Sequence, residues 1–211
     1  VSLVELESLG VRIGRVPILT DVDLRVEAGE AVGVFGPNGS GKTTLLSVLA
    51  TFIRPSSGRG RVFGVPLGTR AVAEVRTRIG WASHEPGLYP DLTLEENLAL
   101  FAEVAGADRR AVAEVLEMVG LAEVSDRRAA ESSNGMRRRV DLARLLLTRP
   151  NLLLLDEAHA GLDTAAEHLI DHLVGDVTSR GGAAVLVSHH RESLDGRVVR
   201  MARLEAGCLS G

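Results

Sequence analysis

Residues 32–46 read VGVFGPNGSGKTTLL. A short apolar run, a turn holding three glycines and then an apolar stretch give the order strand, tight loop, helix. Gly36 and Gly41 bracket Pro37, Asn38, Gly39 and Ser40, and Lys42, Thr43 and Thr44 follow, which completes the spacing G-x-x-x-x-G-K-T. Backbone N–H groups converge on phosphate oxygens only where the turn has no bulky side chains, and the helix N-terminus adds the positive end of its dipole. The whole stretch Gly36 to Thr44 is therefore the expected phosphate-binding segment. Lys42 is placed to bridge the β- and γ-phosphates of a nucleotide, and Thr43 to offer its hydroxyl to Mg²⁺.

Composition sharpens the reading of Lys42. It is the only lysine among 24 basic residues. Arginine carries a larger planar fork that does not pack into so closed a loop, so a chain that otherwise uses arginine throughout keeps its one compact ammonium here.

Residues 151–157, NLLLLDE, supply a second half to such a site. An uninterrupted apolar run of this length is the pattern of a central parallel strand buried on both faces. Ligands of such sheets sit beyond the carboxyl ends of the strands, which brings Asp156 and Glu157 beside the glycine loop. Asp156 suits Mg²⁺, directly or through water, and Glu157 suits polarisation of an attacking water. Another apolar strand, within GGAAVLVSHH at 181–190, ends at Ser188 and His189, and a histidine there is within reach of the γ-phosphate. His168 and His172 are four residues apart on a helical pattern, but no third ligand is in register, so they read as surface residues.

The remaining composition excludes several classes. The length of 211 residues fits one domain, or one with an inserted sub-domain. A net charge of -4 and only 3% aromatic residues give neither the basic footprint nor the stacking platforms of a nucleic-acid binder. No stretch approaches the ~20 apolar residues of a membrane span. The opening VSLVELESLG lacks the basic flank and apolar core of a secretory signal, and Cys208 has no second cysteine to pair with, so a cytoplasmic location is expected.

With Lys42, Asp156, Glu157 and His189 in this order, the chain resembles the nucleotide-binding subunit of ATP-binding cassette (ABC) transporters over nearly its whole length. GLD at 161–163 looks like the family's D-loop, with Asp163 its acidic member, and SSNGM at 132–136 stands where the family has its signature turn. The resemblance implies an α/β fold of the P-loop NTPase type: a RecA-like parallel-sheet core, an N-terminal antiparallel β sub-domain and an inserted α-helical sub-domain over about residues 85–135, all in one ABC ATPase domain, 1–211. It also implies ATP and Mg²⁺ as ligands, and a homodimer or paired second ATP-binding subunit. Ser133, Asn134, Gly135 and Met136 of one copy would then bind the nucleotide held by the other.

Four positions depart from the family pattern. Asn134 replaces the signature's first glycine and adds bulk beside a phosphate. His84 stands at the Q-loop glutamine, where an imidazole can still ligand Mg²⁺ or accept from water. Ile13 aligns with the aromatic residue that stacks on adenine, and gives apolar contact without a ring. AHA at 158–160 replaces the usual proline-led linker.

Two organisational expectations complete the reading. Residues 1–35 show alternating strand patterns, and Thr93 with Glu96 forms a capping box ahead of LEENLALFAEV. The three arginines at 137–139 fall in the first turns of the helix after the signature, where the dipole disfavours them, so some pair with acidic residues or a partner. By resemblance an integral membrane subunit docks beside His84 and Tyr89, on the inner face of the cell membrane, and does the transport. The length, His84 and SSNGM are most similar to the haem exporter of cytochrome c maturation; the ATPase of another drug, lipid or small-molecule exporter, or a weakly hydrolysing regulatory module, shares the same motifs.

Overall fold

A computed structural model describes residues 1–83, 85–157 and 164–211 of the chain, without the side chains of 164–166. The strands β1 (Ser2–Ile13) and β2 (Val16–Glu27) form an antiparallel hairpin. Then come β3 (Ala31–Phe35), α1 (Lys42–Leu49), β4 (Ser57–Val62) and β5 (Val65–Pro66). A 3-10 stretch at Arg70–Arg78 leads to β6 (Ile79–Ala82) and the helices α2 (Leu94–Ala105), α3 (Ala111–Met118) and α4 (Asn134–Thr148). The chain closes with β7 (Leu152–Asp156), α5 (Thr164–Ser179), β8 (Ala183–Ser188), β9 (Arg200–Glu205) and β10 (Cys208–Ser210).

Two sheets result. The smaller is antiparallel with order β2-β1-β4-β5; the larger has order β10-β9-β3-β8-β7-β6 and is parallel except for the edge pair β9/β10. Residues 31–35, which fall at the end of the alternating N-terminal stretch, belong to the larger sheet, while 57–66 supply two further strands of the smaller one. The reason lies in β3 itself: four of its five residues are buried, as a central strand between β8 and β9 requires.

Strand β7 shows how the sheet divides the interior. All five of its residues are buried, and side chains alternate between faces. Leu152 and Leu154 join the core formed with β1, β2 and α1, whereas Leu153 and Leu155 join the core formed with α2, α4 and α5. Each leucine buried this completely contributes roughly 1.5–3 kcal/mol.

The helical layer begins as the sequence predicts. Thr93 Oγ1 accepts from Glu96 N at 3.1 Å and Glu96 Oε2 accepts from Thr93 N at 2.8 Å, a reciprocal cap for α2. Leu94, Leu98 and Ala102, spaced by four, form its fully buried stripe. The layer runs past residue 135, because α4 packs on both α2 and α3 as well as on α5.

Candidate nucleotide site

The larger sheet lines up the carboxyl ends of β3, β8 and β7, and the loop after β3 turns over them into α1. Gly36 donates its N–H to Ser188 O at 3.2 Å. A Cβ at Gly36 would lie 1.9 Å from Leu204 O, so only glycine fits. Gly41 caps α1 in the left-handed region, at φ 106°, and no side chain caps that helix. The N–H groups of the first turn are thus left for a ligand.

Loop, helix and strand ends enclose a cleft of about 590 Å³, lined by Ile18, Asn38, Gly39, Gly41, Lys42, Thr43, Thr44, Asp156, Glu157 and His189. Its size suits a nucleotide. Lys42 is 6% exposed. Its ammonium donates to Gly36 O at 2.8 Å and Pro37 O at 3.1 Å, and stands 3.7 Å from Glu157 Oε1. Phosphate oxygens can take over those contacts, and they carry charge where the carbonyls do not. Ser40, behind the loop, is buried with its hydroxyl lacking a hydrogen-bond partner among the described residues.

Across the cleft, Asp156 is buried at the end of β7. Glu157 follows with φ 48°, a left-handed backbone that is uncommon for a residue with a side chain, and its N–H bonds to Val187 O at 3.0 Å. Its Oε2 lies 2.7 Å from His189 Nδ1 and 3.4 Å from Ser188 Oγ. Thr43, Asp156 and Glu157 give the cleft hard oxygen donors, with no cluster of three or more metal-ligating side chains among the described residues. That donor set fits Mg²⁺, which takes one or two protein oxygens and completes its shell with phosphate and water.

The other expected residues lie elsewhere. Ile13 ends β1, pairs with Val16 and is 57% exposed, outside the cleft wall. The hairpin turns at Gly14 and brings β2 back so that Ile18 meets the loop: a Cβ at Gly41 would come within 3.1 Å of Ile18 O. Ile18 thus gives the cleft an apolar lining residue from β2, while Ile13 stands exposed at the end of β1. Ser133 caps α4, its Oγ accepting from Met136 N at 3.2 Å. Asn134 Oδ1 accepts from Arg137. Neither these two nor Gly135 lines the cleft of the same chain. His84, residues 158–160 and Asp163 lie outside the described residues. His168 and His172 are exposed on α5, as read.

Of the three arginines, Arg137 stays local, Arg139 donates to Val119 O at 2.8 Å, and Arg138 is buried. Desolvation pulls the Arg138 guanidinium below its usual pKa, and the nearby Asp141 carboxylate opposes that. Asp141 is fully buried on α4 between Arg138 and Arg144. The signal that could have found it is an aspartate with arginines three residues before and after it, Arg138 and Arg144, on the helix face that also carries Leu142 and Leu145.

A glycine loop entering a helix beside carboxylates at the ends of parallel strands defines the class: a P-loop nucleotide-binding hydrolase. The family model described as ABC transporter matches residues 19–160, and the chain belongs to that family. The Nod factor export ATP-binding protein I of Bradyrhizobium diazoefficiens is 36% identical over 213 residues, covering 98% of this chain and 69% of that protein. Among solved structures, the ATP-binding subunit of an ABC transporter superposes with a TM-score of 0.89 at 26% identity, over 98% of this chain and 88% of the other. A dimeric ATP-binding cassette in a post-hydrolysis state, bound to ADP and Pi, superposes with a TM-score of 0.85 at 26% identity, over 98% and 96%. The chain is an ABC ATPase.

Proposed function

We propose that this ATPase powers export through a separate integral membrane subunit, working as a pair of ATP-binding subunits on the cytoplasmic face of the membrane. The observation that carries the chemistry is the convergence of Lys42, Thr43, Asp156, Glu157 and His189 on one cleft. In this reading Gly36 to Thr44 cradle the phosphates, Lys42 neutralises the β- and γ-phosphates, and Thr43 and Asp156 hold Mg²⁺, joined by His84. Mg²⁺ supplies charge neutralisation at the phosphoryl group being transferred. Glu157 accepts a proton from, or polarises, the attacking water. His189 donates Nδ1–H to that carboxylate and fixes its rotamer; a protonated ring also offers Nε2–H toward the γ-phosphate. Ile18 packs on the base.

Pairing is supported by two facts. Ser133 to Met136 stand at a helix N-terminus away from the cleft of their own chain, and the superposed post-hydrolysis cassette is a dimer. A second copy would bring that turn, with Asp163, to the first copy's nucleotide. Among the described residues no helix is long and apolar enough to cross a membrane; we place the docking of the membrane subunit beside Tyr89, which is 55% exposed and whose backbone is bonded at both N and O by Asn97. Nucleic acid has no part in this function. Export is favoured by the relative's name; haem as cargo, which SSNGM and position 84 resemble, gains no support from it. In this reading residues 1–211 form one ABC ATPase domain with a helical insertion over about residues 85–135.

The test is steady-state ATP hydrolysis of the wild-type chain against Glu157→Gln, with sedimentation velocity in Mg-ATP. The variant is expected to lose at least about 100-fold in rate and to accumulate as a dimer. Equal rates would reject Glu157 as the base, and a monomer under both conditions would reject the pairing.

A further inference from the structure

Three side chains of α4 reach across to one short piece of backbone. Arg144 donates Nη2–H to Trp81 O, Arg138 donates Nη1–H to Ser83 O, and Gly87 donates its N–H to Asp141 Oδ1 at 3.3 Å. The three are themselves joined: Arg144 Nε to Asp141 Oδ1 at 2.9 Å, and Arg138 Nη1 to Asp141 Oδ2 at 3.5 Å. Asp141 is fully buried and Arg138 is 6% exposed. The residues bonded, 81, 83 and 87, bracket position 84.

We propose that Arg138, Asp141 and Arg144 are positioning residues for ATP hydrolysis, holding the backbone on both sides of His84 to the helix that begins with Ser133–Met136. The inference rests on the role given to His84 above and deepens it.

Three physical points carry it. A buried carboxylate with two cations is a poor way to gain stability, since apolar residues of the same volume commonly do as well or better. Its use here is geometric: every bond to the segment ends on backbone, so the path of the chain is set whatever side chains the segment carries. Arg138 Nη2 is buried with no hydrogen-bond partner among the described residues, so the guanidinium keeps a donor beyond those that tie it to Ser83 and Asp141. Finally, Arg138 lies little more than one helical turn from Asn134 on a rigid element. A shift of the signature turn by a second copy's nucleotide therefore reaches Ser83 through one side chain.

The experiment is a cycle on the full chain: wild type, Arg138→Met, Arg138→Lys, His84→Ala and the double variant Arg138→Met/His84→Ala. kcat for ATP is measured by phosphate release, and affinity by titration with a fluorescent ATP analogue. Methionine keeps the stem and removes the donors. It is expected to lower kcat about 10-fold with nucleotide Kd within about 2-fold, since the cleft itself is untouched. Lysine, which retains a donor for Ser83 O, is expected to recover kcat to within about 3-fold. The double variant is expected to be no slower than His84→Ala alone, because both changes act through one loop.

Unchanged kcat in Arg138→Met, loss of affinity in step with rate, equal losses for Met and Lys, or losses that multiply in the double variant would each overturn the proposal. Should Arg138→Met fail to fold, Arg144→Met and Arg144→Lys, which remove and retain a donor for Trp81 O, go through the same cycle under the same criteria. A wild type without ATPase activity would instead defeat the reading of the cleft, which an active wild type with multiplying losses leaves standing.

Discussion

The two helices α1 and α4 begin alike and are finished differently. Each follows a turn of small or polar residues, and each presents a positive dipole end. At α1 the cap is Gly41 with no side-chain hydrogen bond, and the first turn faces a cleft walled by Lys42, Asp156 and Glu157. At α4 the cap is Ser133, whose hydroxyl is engaged by Met136 N, and the first turn carries Arg137 bonded to Asn134. On the proposed pairing, the same dipole makes a nearly finished anion site in one place and a half-site in the other. What distinguishes them is the wall opposite the helix, which at α4 a second chain would have to provide.

The largest expected difference comes from Lys42→Ala. It should weaken binding of a fluorescent ATP analogue at least about 10-fold and abolish measurable turnover, because a buried charge-assisted contact to phosphate is lost. An unaltered affinity would mean that the backbone loop alone makes the site, and the contrast with α4 would narrow.

Ser133→Ala should act the other way round. Removing the cap costs roughly 1 kcal/mol of stability in thermal unfolding, while nucleotide affinity of the isolated chain stays as it was. A drop in monomer affinity would place the signature turn at its own chain's nucleotide. The smallest effect is expected from Asn134→Gly: hydrolysis by the paired protein should rise by about 2- to 5-fold as bulk beside the phosphate is relieved, read as kcat at saturating ATP. A fall would show that the Asn134–Arg137 contact serves the pair.

How much of this could be read beforehand follows from where each signal resides. β3, β7 and β8 were legible because strands buried on both faces leave continuous apolar runs. The phosphate loop was legible because backbone geometry dictates its glycines, and the cap of α2 because its two partners are three residues apart. β4 was not: SGRGRV has two glycines, two arginines and only Val62 buried, so its membership of the sheet is conferred by β1. The presence of Ile18 in the cleft lining depends on how a hairpin folds back, which no local pattern in β2 expresses. The Arg138–Ser83 bond joins residues 55 apart in the chain. Local patterns can announce a buried charge on α4, but only the folded packing says what it grips.

Glu157 closes the account through its backbone. A left-handed conformation at φ 48° is a burden on folding of about 1 kcal/mol or more for any residue but glycine, or to a lesser degree asparagine. Selection for heat tolerance alone would thus favour replacing the side chain to which the proposed mechanism gives the attacking water. On that proposal robustness and catalytic competence are set against each other at this single peptide unit, and an engineer seeking a hardier version would do well to leave it alone and strengthen the leucines of the neighbouring strand's two cores instead.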